Sequence, residues 1–276
     1  MSRTLLVITT YNQSEYTKLC FDSIKNIEDD VDVLVIDDCS TDDTIELCKE
    51  YNHEIIVKET GLGLTDSWNR GYYEFKQRWF VNSSGMEDNY DYLILANNDI
   101  LIPRGAITEL KKTFHKWPFS MVVPLSTKLG VGHNREQSIE NYYHNMAPDC
   151  NDPNYYQAIQ DRILNGKDQI TKSNNLFQLD PKRMKMFNGF FFMMNRDIVT
   201  YQHSDEELFE PKNIMTKNED EFNWSKLIPN DDFAALCKTS FIFHYKGVST
   251  IDVFDNYNKI SNDVDEWRRQ RKLRGG

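Results

Sequence analysis

Tyr92-Leu93-Ile94-Leu95-Ala96-Asn97-Asn98-Asp99 runs from an apolar segment straight into three polar side chains. A short apolar run with a β-branched and an aromatic residue fits a strand buried on both faces, so the polar triplet marks its carboxyl end. Two upstream stretches share this form. Leu5-Leu6-Val7-Ile8 leads into Thr9-Thr10-Tyr11-Asn12, and Val35-Ile36 leads into Asp37-Asp38-Cys39-Ser40. Ligands of an open α/β sheet settle at the carboxyl ends of its strands, which places the three polar clusters in one crevice.

Around these stretches the first 125 residues alternate short apolar runs with helical patterns. Strands are predicted near 4–10, 32–37, 54–58, 91–96 and 119–123, with helices near 14–26, 41–51, 64–80 and 104–116. That rhythm predicts an α/β fold with a mainly parallel sheet flanked by helices. Leu64, Trp68, Tyr72, Phe75 and Trp79 recur three or four apart, the spacing of one apolar helical stripe laid on a sheet. Ser40 stands where its hydroxyl would cap the next helix, with Asp43 in the first turn, and Pro103 suits the opening of the helix after Asp99. From 126 to 182 the text turns polar and is read as loop and short helix, either a lid or binding segment or a disordered solvent-facing insertion. Apolar strands resume at Phe187–Met194 and Phe241–Tyr245, separated by an acidic helical segment around 219–227, and Trp267 to Arg274 reads as a basic terminal helix.

With 43 acidic against 32 basic residues and a net charge of −11, the surface is a poor match for a nucleic-acid backbone or an anionic lipid surface. The basic residues of the last helix allow peripheral membrane contact at most. Five dispersed cysteines without a C-x-x-C pair suggest neither a disulfide framework nor a zinc site, and reduced thiols point to the cytoplasm. No stretch reaches membrane-spanning length, and the apolar run at the amino terminus is too short for a signal sequence.

The three clusters suit a nucleotide. A uracil or thymine base offers an N3 donor between two carbonyls, for which the Asp38 carboxylate is the natural acceptor, with Tyr11 placed to cover the ring. A turn-capping role is the structural alternative for Asp37 and Asp38. Neither G-x-G-x-x-G nor G-x-x-x-x-G-K-[ST] occurs, so phosphates are not cradled by glycines. A divalent cation then becomes the economical partner for a diphosphate, and Asp99 is the carboxylate to hold it.

Together these motifs resemble the family-two glycosyltransferases, inverting enzymes with the GT-A fold, over residues 4 to about 250. Thr9-Thr10-Tyr11-Asn12 is similar to their first nucleotide-binding strand end, and Asp37-Asp38-Cys39-Ser40-Thr41-Asp42-Asp43-Thr44 to their D-D-x-S-x-D-x-T segment. Asn97-Asn98-Asp99 resembles a variant of the D-x-D metal motif found in the rhamnosyltransferase-like branch. The resemblance implies that Asn69 and Arg70 approach the donor, and that Asn97 and Asn98 share in binding it. It implies that Asn188, Gly189, Phe190 and Glu219 border the acceptor, and that Asp220 is the general base, with Glu219 or Glu221 as substitutes because Phe222 breaks the E-D-x-D pattern. His244 in His244-Tyr245-Lys246-Gly247-Val248-Ser249 would complete the shell of a Mn2+ or Mg2+ ion opposite Asp99.

The implied reaction moves one sugar from a UDP- or dTDP-sugar to a glycan hydroxyl, with inversion. Residues 1–125 would form the nucleotide-sugar half, 126–250 the acceptor and catalytic half of the same domain, and 251–276 a helical tail. Processive synthases carry Q-x-x-R-W, which Trp267-Arg268-Arg269-Gln270 does not reproduce. A sugar-1-phosphate nucleotidyltransferase is the rival enzyme class, although its glycine-rich basic loop is missing. A non-catalytic nucleotide- or carbohydrate-binding module is the rival from outside enzymology.

Overall fold

The computed structural model describes residues 2–25, 27, 30–82, 90–116, 119–127, 137–143, 150–166, 176–179, 189–196, 208 and 233–245. Its first part runs β1 (Thr4–Thr10), α1 (Ser14–Ile24), β2 (Val31–Asp37), α2 (Thr44–Glu50), β3 (Glu54–Val57), α3 (Leu64–Asn82) and β4 (Tyr92–Asn97). There follow β5 (Ile100–Leu101), α4 (Ala106–Lys116), β6 (Phe119–Ser126), α5 (Tyr156–Leu164), β7 (Leu176–Leu179), β8 (Phe191–Asn195) and β9 (Phe233–His244). These strands form one sheet in the order β3-β2-β1-β4-β8-β6-β9-β5, with β7 also on β9. The first four are parallel, as the alternating rhythm predicts. Beyond β4 the sheet is mixed, because β8 lies antiparallel between β4 and β6.

β1 is the spine. Leu5 and Val7 point to one face, where they meet Trp68, Tyr72 and Phe75 of α3, and Leu6 and Ile8 point to the other, with Cys20 and Phe21 of α1 and Leu110 of α4. All four β1 side chains are fully buried, each contributing on the order of 2 kcal/mol over exposure. Trp68, Tyr72 and Phe75 of the predicted α3 stripe are therefore core, although Leu64 at its start is exposed. Gly71 lets α3 approach β1 this closely, since a Cβ there would lie 2.5 Å from Val7 Cγ1.

Two expected caps are corrected. Ser40 does not cap α2, because its hydroxyl is drawn to Asp37 Oδ1; Asp42 serves instead, accepting from the Thr44 amide at 3.0 Å. Pro103 opens a turn before α4 rather than the helix itself, with its carbonyl accepting from Ala106 N at 3.2 Å. Within 126–182 the described residues include α5 and β7, so this region is partly built into the sheet. The strand expected at Phe241–Tyr245 begins earlier, at Phe233. The acidic segment at 219–227 and the basic terminal helix lie outside the described residues. Among the described residues, no helix is long and apolar enough to cross a membrane.

Candidate active site

Parallel pairing sets Thr9 beside both Ile36 and Asn97, and Thr10 beside Asp37, so the three polar strand ends converge as expected. Asn12 and Gln13 turn the chain out of β1 with φ of 54° and 64°, a left-handed region that asparagine tolerates. The turn is stapled to the next strand end: Asn12 N donates to Ser40 Oγ at 2.7 Å, and Thr41 N donates to Asn12 Oδ1 at 2.8 Å. Asp42 joins both helix starts by also accepting from Ser14 N at 2.9 Å. Burial pushes the Asp42 carboxyl up, but the Thr44 and Ser14 donors outweigh it and hold the group below its ordinary range.

Much of the expected nucleotide-contacting set is occupied within the protein. Thr9 Oγ1 donates to Ala96 O at 3.2 Å and Thr10 Oγ1 to Asp37 Oδ1 at 3.0 Å, so both hydroxyl protons are committed inside the sheet. Asn98 is buried, its amide donating to Thr17 Oγ1 at 2.8 Å, and it ties the Asn-Asn-Asp segment to α1. Asp38 accepts from Leu62 N at 3.0 Å, from Gly63 N at 2.8 Å, and from the Lys58 ammonium. Lys58, which the sequence reading missed, also meets Asp66 at 2.6 Å and is only 9% exposed. A base N3–H reaching Asp38 must therefore join a carboxylate that already organises the 58–66 turn. Tyr11 and Asn69 are half-buried at this rim, while Arg70 is exposed and pairs with Glu74 at 2.7 Å.

Asp99 is different. It is 1% exposed, and neither carboxylate oxygen has a hydrogen-bond partner. The imidazole of His244 lies beside it, with Nε2 3.4 Å from Oδ1. The antiparallel pairing of Ile100 with His244, supported by Tyr245 N donating to Asp99 O at 2.9 Å, creates this meeting. That separation is long for a hydrogen bond, yet two ligands of one ion, each at about 2.1 Å, sit roughly 3–3.5 Å apart. Leaving a buried carboxylate unpaired is costly, so the orphaned oxygens and imidazole fit a bound cation. Asn97 Oδ1 is likewise buried and unsatisfied at the same strand end. Cys20, close enough to feel the Asp99 charge, is held as a thiol by burial and by that carboxylate. Among the described residues no set of three or more His, Cys, Asp or Glu side chains converges.

Phe190, expected beside the acceptor, packs on the proposed metal side of the site. Its ring is 1% exposed and stacks on the His244 imidazole with centroids 4.6 Å apart, which fixes the imidazole plane. Gly189 is half-buried just ahead of it. Asn188, Glu219, Asp220 and Glu221 lie outside the described residues. A cavity of about 490 Å³, at the opposite ends of β1 and β2, is lined by cations already paired, Arg3 with Asp32 and Arg78 with Glu54.

A family model described as Glycosyl transferase family 2 matches residues 5–202. The chain belongs to that family. It is similar to "Glycosyltransferase GlyA" of Streptococcus pneumoniae serotype 4, with 25% identity over 167 residues, which is 57% of this chain and 20% of that protein. The chain thus spans a fifth of this relative's length. In fold it is similar to S. aureus TarS 1-349 in complex with UDP, with a TM-score of 0.58 and 13% identity over 88% of this chain and 60% of that one. It is also similar to the mannosyltransferase PcManGT from Pyrobaculum calidifontis in complex with GDP-Man and Mn2+, with a TM-score of 0.56 and 12% identity, over 91% and 60% of the two chains. The sheet described above is accordingly the GT-A fold of a family-two glycosyltransferase.

Proposed function

We propose that this glycosyltransferase moves a single sugar from a UDP- or dTDP-sugar to a glycan hydroxyl with inversion, and that Asp99 and His244 hold a divalent cation at the diphosphate. One observation carries the reading: a buried carboxylate with both oxygens unpartnered faces an imidazole at a strand end where three polar clusters meet. Imidazole beside carboxylate suits Mn2+ better than Ca2+. Such an ion supplies positive charge where a departing diphosphate develops negative charge. The TarS complex with UDP and the PcManGT complex with Mn2+ are in keeping with this pairing of nucleotide and ion.

The chain's own residues divide the remaining work. Asn97 and Asn12 line the nucleotide side, where Asp38 holds the turn that ends in Gly63. Asp220 takes the proton of the acceptor hydroxyl as its oxygen bonds to the anomeric carbon; a carboxylate within hydrogen-bond reach suits that role. Glu219 is assigned to binding the acceptor. With base and leaving group on opposite faces of the sugar, the product has inverted configuration.

A panel of sugar nucleotides, screened by thermal shift with and without Mn2+, tests this reading. A UDP- or dTDP-sugar is expected to raise Tm only when metal is present, and the same pair with a glycan acceptor is expected to release nucleoside diphosphate. Pyrophosphate release from a nucleoside triphosphate would instead assign a nucleotidyltransferase. Binding without turnover across all acceptors would assign a binding module.

A further inference from the structure

β9 changes partners halfway along its length. Up to Cys237 it pairs with β7 and β6, whereas from Phe241 it continues along β6 and then pairs with β5. Pro124 of β6 faces Cys237 and the next residue, Leu125, faces Phe241, so Lys238, Thr239 and Ser240 are extra residues bulged from β9. Pro124 has no N–H to donate, which is a physical reason for the ladder to break there.

Three side chains from residues 137–160 take up the freed backbone groups. Gln160 of α5 donates from Nε2 to Thr239 O at 2.9 Å, and its Oε1 accepts from Phe241 N at 2.8 Å. Tyr143 donates its hydroxyl to Lys238 O at 2.9 Å, and Gln137 Nε2 donates to Pro124 O at 3.3 Å. Gln160 and Gln137 are fully buried and Tyr143 is 4% exposed. A buried glutamine is a costly way to fill space, but its amide fork matches one carbonyl and one N–H two residues apart.

His244 stands three residues beyond Phe241, with no further irregularity between them; Leu101 faces Phe243 and Ile100 faces His244. The size of the bulge therefore sets which residue reaches Asp99. A slip of one residue would bring Phe243 or Tyr245 to that register and turn alternate side chains to the other face. We propose that Gln160 is a positioning residue for His244: by pinning the bulge it fixes the register that brings the imidazole to the Asp99 carboxylate. Its consequence for metal binding rests on the proposed cation site, whereas the placement of His244 does not.

Gln160→Met keeps the volume and removes both bonds. Histidine-selective ring labelling of metal-free protein follows the six histidines, with the His244 signal to be assigned by His244→Gln. The His244 signal is expected to shift or double in Gln160→Met while the other histidines hold still, and Mn2+ affinity to fall about tenfold. A lower Tm with an unmoved His244 signal would overturn the proposal and leave Gln160 a structural residue only. If the wild-type protein binds no Mn2+, the cation reading fails, yet the ring signal still decides whether Gln160 places His244. Tyr143→Phe removes one hydroxyl from the same bulge and serves if Gln160→Met does not fold. It is expected to move the same signal by a smaller amount, and no movement there overturns the proposal too.

Discussion

Asp99→Asn is expected to lower the rate of glycosyl transfer by a factor on the order of 10³, while the metal-free protein becomes no less stable and melts at the same or a higher temperature. The two effects part because they act on different states. In the metal-free protein the Asp99 carboxyl group is buried without a hydrogen-bond partner, so a neutral amide of nearly the same shape takes its place without breaking a hydrogen bond. With donor bound, the same change deletes an anionic ligand, and a factor of 10³ corresponds to about 4 kcal/mol of lost stabilisation in the transition state. Thermal shift without metal and initial rates at saturating Mn2+ measure the two arms. A clear fall in metal-free Tm together with unchanged turnover would mark Asp99 as a structural residue. A site that trades stability for function is what an orphaned carboxylate signifies.

Asp38→Ala is expected to destabilise the ligand-free protein by about 3 kcal/mol, a fall of roughly 6–12 °C in Tm for a domain of this size. The carboxylate is 10% exposed and accepts from Lys58, Leu62 N and Gly63 N at once. Its removal strands two backbone donors and leaves the Lys58 ammonium with Asp66 alone as its counter-ion. That remaining partner keeps the cost at the low end of the range for breaking a buried pair. Removing the cation as well, in Asp38→Ala with Lys58→Met, is expected to recover part of the loss, since an apolar side chain tolerates burial. If Asp38 acted on the base alone, Tm without ligand would stay at the wild-type value and only donor binding would suffer.

How much of this was legible in the sequence depends on how local each cause is. β1, β2 and β4 are written in unbroken apolar runs ending in polar residues, and the α3 stripe is written in its spacing, so the parallel half of the sheet could be read directly. Asp99 was legible as a carboxylate at a strand end. His244 was tied to it only by family resemblance, because the contact depends on an antiparallel pairing of β5 with β9 that no local pattern announces. The Ser40 cap failed because two capping-competent residues competed, and Asp37 had already drawn the Ser40 hydroxyl away. Lys58 reads as an ordinary surface charge at the end of a short edge strand, until Asp38 and Asp66 close on it. Gln137, Tyr143 and Gln160 sit in a polar stretch that composition marks as loop, and their buried role exists only once Pro124 has broken the β6–β9 ladder. Pro124 within an apolar run was the one signal present, and it gave the break without its repair.

The central claim, that Asp99 and His244 hold a divalent cation, is tested most directly by titrating Mn2+ in the presence of UDP while free ion is followed by electron paramagnetic resonance. The account predicts one ion bound per chain in the wild-type protein, and loss of that ion in both Asp99→Asn and His244→Gln. Unchanged binding in the two variants, or none in the wild type, would contradict it.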